Sequence, residues 1–268
     1  MPRLVTSLIA TVVVATFAAS AGTASPRRFV VNDGTQSVSA NWSGYTLQDA
    51  SGAGLQFTSV TGTWRVPVTR CEGGARPSAA FWVGLGGTSD SATGLEQTGT
   101  AVDCSGGRPR YYAWYESLPA ASVDVTLKVK PGDLITTSVN VHGTRVLFQI
   151  KNRTRKTSFT RPLKVASPDL SSAEWIAEAP AECDSTDRCR VVPLANFGSV
   201  TFTRAAAIAN SHPGTINDPT WVNEAISLVP QGSGFFGNNR SSSAGAAPGA
   251  LSADGRSFGV SWLANAAP

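Results

Sequence analysis

Four polar residues sit inside aromatic, strand-like segments, and their types can support acid–base chemistry. Gln97 lies in Leu95-Glu96-Gln97-Thr98-Gly99, Glu116 closes Ala113-Trp114-Tyr115-Glu116, and Glu174 and Glu178 bracket Trp175-Ile176-Ala177. Side chains alternate along a strand, so Glu174, Ile176 and Glu178 share one face while Trp175 and Ala177 share the other. A carboxylate beside tryptophan on a sheet face is either solvated on a convex surface or held in a concave cleft with a shifted pKa. Held in a cleft, it can take a proton from water and return it to a leaving group. Gln97, taken by itself, reads as a surface amide at a strand end.

The residue sets for other reactions are missing. The chain has no Gly-x-Ser-x-Gly elbow, no His-Glu-x-x-His, no phosphate-cradling loop and no Asp-Thr-Gly or Asp-Ser-Gly pair. Gly84-Leu85-Gly86-Gly87 is rich in glycine but opens no amphipathic helix. A histidine triad has only His142 and His212 to draw on, and each reads as a turn residue. No metal or other cofactor is expected, because the four cysteines form no Cys-x-x-Cys and imidazoles are scarce.

Gln97, Glu116, Glu174 and Glu178 are spread along the chain, so strands must bring them together if they are to act as one site. Val123, Val125, Leu127 and Val129 alternate with polar residues before a Pro131-Gly132-Asp133 turn. Leu134 to Val141 and Arg145–Ile150 follow, separated by His142-Gly143, which predicts a three-strand meander with Phe148 and Ile150 on one face. Further strands are expected at Thr58–Val66, Ala80–Leu85, Arg110–Glu116, Ala173–Glu178, Val200–Thr203 and Ala225–Val229. Short strands, turn residues and no long helical period predict an all-β, two-sheet antiparallel β-sandwich. Residues 232–249 read as a Gly/Ser-rich loop, and Ser252–Trp262, turning at Asp254-Gly255, as a C-terminal hairpin.

Composition agrees with that reading. Across 268 residues, apolar types reach 41% and charged types only 15%, with 26 Gly and 16 Pro. This excludes coiled coils and helical repeats, and seven Trp with eleven Phe argue against disorder. The formal charge of +4 owes part of its excess to Arg3, Arg27 and Arg28. The only basic run elsewhere, Lys151, Arg153, Arg155 and Lys156, reads as a solvated turn, so no nucleic-acid partner is expected.

Arg3, the apolar stretch from Leu4 to Phe17 and the Ala19-Ser20-Ala21 and Ala24 that follow predict a signal peptide over residues 1–24. The protein is therefore expected outside the cell, free of the membrane once the signal is removed, and monomeric. Residues 25–38 are expected to be a short pro-segment or loose arm, and 39–268 the β-sandwich domain. Export favours disulfides: Cys183 and Cys189 flank a polar loop that one can staple, leaving Cys71 and Cys104, one of three possible connectivities. Asn41-Trp42-Ser43, Asn152-Arg153-Thr154 and Asn239-Arg240-Ser241 fit the glycosylation sequon.

The order of these motifs resembles the glutamic peptidases, or eqolisins. The resemblance runs from Asn41-Trp42-Ser43-Gly44 through Trp64-x-Val66-Pro67, Phe81-Trp82-Val83-Gly84-Leu85, Gln97-Thr98-Gly99 and Ala113-Trp114-Tyr115-Glu116. It continues through Ala173-Glu174-Trp175-Ile176-x-Glu178 and Cys183…Cys189 before Val191-Val192-Pro193-Leu194. It implies a sandwich of concanavalin or jelly-roll type whose concave face carries the site, with Gln97 and Glu178 as the catalytic pair. It also implies that Trp82 and Glu116 belong to the active-site wall, and that Glu174 is not catalytic. Two acidic positions of the family's well-known members are Ala101 and Tyr112 here.

The implied activity is hydrolysis of polypeptides at acidic pH by a Gln97/Glu178 dyad that activates water without a covalent intermediate or metal. Trp82, Trp114, Tyr115 and Glu116 are expected to line the cleft that takes an extended peptide. Two readings of the same residues remain open at this point. Glu116 and Glu178 can form a glycosidase pair, or the site can belong to a non-catalytic module that binds sugar or peptide.

Overall fold

The computed structural model describes residues 28–29, 36–49, 52, 54–71, 76–88, 92, 94–183, 189–230 and 244–266. The signal sequence and most of the 232–249 loop lie outside the described residues. In chain order the strands begin with β1 (Arg28–Phe29), β2 (Gln36–Ser39), β3 (Trp42–Gln48), β4 (Phe57–Arg65), β5 (Ser78–Gly86) and β6 (Leu95–Ser105). Next come β7 (Arg108–Ser117), β8 (Val123–Val125), β9 (Leu134–His142), β10 (Arg145–Asn152), β11 (Thr157–Lys164) and β12 (Ser172–Glu178). The order ends with β13 (Ala181–Cys183), β14 (Cys189–Val191), β15 (Ser199–Ala209), β16 (His212–Gly214), β17 (Val222–Leu228), β18 (Gly245–Pro248) and β19 (Phe258–Leu263). Among the described residues there is no helix, so none is long and apolar enough to cross a membrane.

One antiparallel ladder system links most of these strands. It runs β11–β10–β9–β4–β15–β19–β18–β17–β3–β12–β5–β6–β7–β8. Strand β2 joins β17 in parallel, and β1 pairs with β2. The system curls until its two ends meet across the core, giving a shape close to a closed barrel. Tyr115 of β7 lies 5.3 Å from Phe148 of β10 and stacks on Phe159 of β11 at 5.9 Å, ring centre to ring centre.

Period-two alternation explains which side chains fill that core. Strand β10 sends Val146, Phe148 and Ile150 inward, and β9 sends Ile135, Val139 and Val141. They meet Phe81, Val83 and Leu85 of β5 and Trp175 of β12. Two indoles of this core find partners, as burial of a polar N–H favours. Trp64 donates to the Thr100 hydroxyl at 3.0 Å, and Trp175 donates to the Thr61 carbonyl at 2.8 Å.

The stretch β17–β3–β12–β5–β6–β7 presents a second, largely buried face away from this core, and register aligns its side chains in rows. One row reads Glu224, Thr46, Glu174, Gly84, Gln97, Glu116. The next reads Ile226, Gly44, Ile176, Trp82, Gly99, Trp114, and the third Trp42, Glu178, Ala80, Ala101, Tyr112. Gly44 and Gly99 flank Ile176 and Trp82 in the middle row. A Cβ at Gly44 would run into the Trp175 carbonyl, and one at Gly99 into the Phe81 carbonyl and the Trp82 backbone.

Several local expectations need correction. The alternation from Val123 to Val129 forms a ladder only at Val123–Val125; Leu127 and Val129 are buried by packing instead. The meander is β9–β10–β11, whose third strand carries no apolar alternation because it is an exposed edge interrupted by Pro162. The hairpin partner of β19 is β18, which falls inside the expected 232–249 loop. Within the expected 25–38 pro-segment or arm, residues 28–29 form β1 and residues from 36 onward belong to β2.

Cys71 and Cys104 are bonded to each other. Cys189 is disulfide-bonded too and stands opposite Cys183 in the β13–β14 pair. Two sequon asparagines are engaged internally: Asn152 donates to the Lys128 carbonyl and to Asp133, and Asn41 to Glu178. Gly99→Ala is expected to destabilise the protein by about 1–3 kcal/mol by overpacking against Trp82, measured by thermal unfolding. An unchanged melting temperature would contradict the role assigned to this glycine.

Candidate active site

Glu178 is the last residue of β12, and both of its oxygens meet neutral N–H donors. Trp82 of β5 donates its indole N–H to Oε2 at 2.7 Å, and Asn41 donates Nδ2 to Oε1 at 3.1 Å. Trp42 adds a further side-chain hydrogen bond and packs edge-on to Trp82 at 4.9 Å. Burial pushes the Glu178 carboxyl up to about 7 from its ordinary 4.5, against the opposing pull of Trp82, Trp42 and Asn41.

Gln97 and Glu116 stand opposite each other on β6 and β7, each only 1% exposed. Gln97 Nε2 donates to Glu116 Oε2 at 2.6 Å. Burial first, and repulsion from Glu178 second, push Glu116 up to about 8, while Gln97 and the Ser122 backbone pull it down. Glu116 therefore feels Glu178 directly and holds Gln97, so the three polar groups form one electrostatic unit. Among the described residues, Gln97 Oε1, Glu116 Oε1 and Trp114 Nε1 of this face lie buried without a hydrogen-bond partner. Buried polar atoms left unpaired cost about 1–3 kcal/mol each, and natural proteins tolerate them chiefly where they serve a ligand or a reaction.

The register brings together most of the residues singled out in the sequence. Trp82, Gln97, Trp114, Glu116 and Glu178 lie on one sheet face, and Glu174 shares it, with its Oε2 beside the space over Gly84. Tyr115 does not belong there. It is one residue out of phase with Trp114 and Glu116, so the pleat turns it into the core against Phe148 and Phe159. Ala101 and Tyr112 face each other across β6–β7, and the Tyr112 hydroxyl donates to Asp103 at 3.2 Å. His142 ends β9, just before the turn at residues 143–144, and His212 pairs with Asp218 at 3.1 Å, far along the chain from the cluster. Among the described residues, no group of three or more His, Cys, Asp or Glu is placed to hold a metal ion.

Sequence reasoning missed Asn41 and Trp42 as partners of Glu178, and Ser39 beneath them. The signal was present in Asn41-Trp42-Ser43-Gly44, but its asparagine reads equally well as a surface sequon. Its 2% exposure removes that alternative.

Residues 40–228 match the Peptidase A4 family. The chain belongs to this family, the glutamic peptidases or eqolisins, and is a hydrolase of peptide bonds whose substrates are polypeptides. It is 31% identical to aspergillopepsin-2 of Aspergillus niger over 205 residues, 68% of this chain and 69% of that protein. Its fold is similar to that of scytalido-glutamic peptidase solved with a transition-state-analogue inhibitor, with a TM-score of 0.66 and 25% identity over 84% of this chain and 98% of that one. Aspergilloglutamic peptidase from Aspergillus niger aligns with a TM-score of 0.52 and 27% identity over 70% of this chain and 99% of that one. Membership decides for peptide-bond hydrolysis over the glycosidase and binding-module readings.

The raised carboxyls have a consequence for stability. Glu116 at about 8 and Glu178 at about 7 are joined by Glu96, buried beneath Gln97 and pushed to about 7 by burial and by Asp169. Each binds its proton more tightly in the folded chain than at the ordinary 4.5. Between 4.5 and these raised values the folded state holds more protons than the unfolded state, so stability falls as pH rises through that window. Asp133 acts oppositely: despite burial it is held low by Asn152 and Arg155, and that stabilisation is lost only as pH falls below the ordinary 3.8. Melting temperature is expected to decline from pH 5 to pH 8, with Glu96→Gln flattening part of the slope. A melting temperature that climbs across this range would contradict the assignment.

Proposed function

We propose that this glutamic peptidase is a secreted endopeptidase in which Gln97 and Glu178 activate one water molecule, without a covalent intermediate or a metal. The observation that supports the reading is that one sheet face carries both a buried carboxyl, gripped by neutral donors, and a buried amide whose carbonyl has no partner among the described residues. The finer architecture belongs to the proposal as well: two packed layers, the site on the hollow face of one of them. Export rests on the Arg3 and Leu4–Phe17 pattern and is supported by the Cys71–Cys104 disulfide.

The division of labour follows from hydrogen-bond capacity. An amide carries two N–H donors and one carbonyl acceptor. Gln97 spends one N–H on Glu116, which fixes its plane. Its second N–H is left for the oxyanion and its Oε1 for a hydrogen of the attacking water. Glu178 as carboxylate takes the other hydrogen while the water oxygen bonds to the peptide carbonyl carbon. It then passes that proton to the amide nitrogen, the C–N bond breaks, and Glu178 returns to its starting form. Trp82 and Trp114 offer apolar walls to an extended peptide.

Ionisation sets the working range. Glu116, at about 8, stays neutral below that pH, so the cluster carries a single negative charge when Glu178, at about 7, is ionised. Activity falls on the alkaline side as Glu116 gives the site a second charge, and on the acid side as Glu178 becomes protonated. The window in which Glu178 is ionised and Glu116 is not lies between about 7 and about 8, at neutrality rather than in the acidic range implied by the resemblance. The two limbs belong to the coupled pair rather than to either residue alone.

Two measurements test this. Gln97→Ala and Glu178→Gln are each expected to lower turnover of a protein substrate by about 10²–10³ or more while the fold persists by circular dichroism. Full activity in either variant would remove the dyad. The pH profile of kcat/KM is expected to be bell-shaped around neutrality. A profile still rising below pH 5 would mean that Glu178 enters the reaction protonated, as an acid, and would overturn its role as base.

A further inference from the structure

The carboxyl of Glu178 has a fixed donor on each oxygen, but only one of the two is fixed by chemistry alone. An indole nitrogen donates and never accepts, so Trp82 presents its N–H in any protonation state. Asn41 is different. Its amide can present either NH2 or carbonyl to Glu178, and a half-turn about its terminal bond exchanges them.

Ser39, the last residue of β2, removes that freedom. Its hydroxyl oxygen accepts the backbone N–H of Asn41 at 3.3 Å and of Trp42 at 3.1 Å. A hydroxyl has two lone pairs and one hydrogen, so both acceptor positions are filled. Its hydrogen points to Asn41 Oδ1 at 3.2 Å. A turned amide would bring NH2 against an oxygen with nothing left to accept it, and would aim a carbonyl at the Glu178 carboxylate. Ser39 and Asn41 are each 2% exposed, so water offers neither a substitute.

We propose that Ser39 and Asn41 form a positioning relay that holds Glu178 in its carboxylate form and in its reactive plane. The inference rests on the reading of Glu178 as the base of the reaction. Ser39 is itself seated by strand pairing: β2 runs beside β17, and the Ser39 carbonyl accepts the Val229 N–H at 2.9 Å. The N-terminal strand thereby becomes part of the catalytic machinery, although it carries no group that touches substrate. Other charged groups do not account for the same effect. Glu116 of β7 faces Glu178 and repels it, and Glu174 and Glu224 on the same face are acidic too. β3 and β5 contribute only Trp42, Ala80 and Trp82 next to the carboxyl. The relay opposes burial, in the direction that Asn41 acts on Glu178.

The test follows the carboxyl itself. In protein labelled with carbon-13 at the glutamate carboxyls, the Glu178 resonance is identified by its loss in Glu178→Gln, and its titration midpoint is read directly. Asn41→Ala is expected to raise that midpoint by about one pH unit or more, since a hydrogen bond to the charged form is lost. Ser39→Ala is expected to move it the same way by a smaller amount, and Ser39→Thr, which keeps the hydroxyl, to leave it in place. The acid limb of kcat/KM should follow each midpoint, with KM on the plateau unchanged. Midpoints equal to the unaltered protein's in folded Asn41→Ala and Ser39→Ala would overturn the relay. If Asn41→Ala does not fold, the Ser39 pair decides alone. An active Glu178→Gln would remove the base reading instead, and the resonance midpoints would still judge the relay.

Discussion

A carboxyl buried in a sheet face is costly as an anion, and the site is organised around keeping one there. Water is replaced for Glu178 by indole and amide N–H groups, which lower its proton affinity, while burial raises it. The balance leaves a carboxyl poised near neutrality rather than at the acidic end of its ordinary range. Glu116 solves the neighbouring problem in the opposite way. Lying against Gln97 and within the field of Glu178, it keeps its proton to a higher pH, so the face rarely has to hold two charges.

The fold supplies this arrangement through register and through the absence of side chains at chosen points. Gly44 and Gly99 let the backbones of β3 and β6 approach β12 and β5 where any Cβ would strike a carbonyl, which opens room for Trp82 in the middle row. Trp82 then reaches Glu178, which lies across β12 and one row further along. The opposite faces of the same strands, carrying Phe81, Val83, Trp175 and Ala177, are committed to the main core. A one-residue slip of β12 would exchange Glu178 for Ala177 and put two carboxyls into hydrocarbon, so the core penalises any register that disperses the site.

Much of this was legible from residue order. β5 and β12 read as strands, and the phase of Glu174, Ile176 and Glu178 against Trp175 and Ala177 follows from the pleat alone. The pattern could not tell whether that polar phase was solvated, because burial of Glu178 depends on Trp42 and Trp82 from other strands. Tyr115 was misassigned to the cleft because its aromatic character outweighed its phase, which already opposed Trp114 and Glu116. β11 was illegible for another reason: an exposed edge strand with Pro162 has no apolar period to detect. Asn41 was hidden by ambiguity, since a sequon and a buried amide share the same three letters until burial separates them.

The same proton economy ties activity to stability. In the proposed reaction the form that acts as base has Glu178 ionised, and ionising a buried carboxyl is the step that weakens the folded state as pH rises. The active species is therefore not the most stable one, and the two must be held together by something that does not depend on pH. Indole and amide donors meet that need, because neither titrates in the working range. A lysine or arginine partner would hold the anion more strongly, but it would pull the Glu178 pKa far down and leave too weak a base for the water. Neutral donors are the compromise: enough stabilisation to keep the carboxylate buried, and too little to silence it.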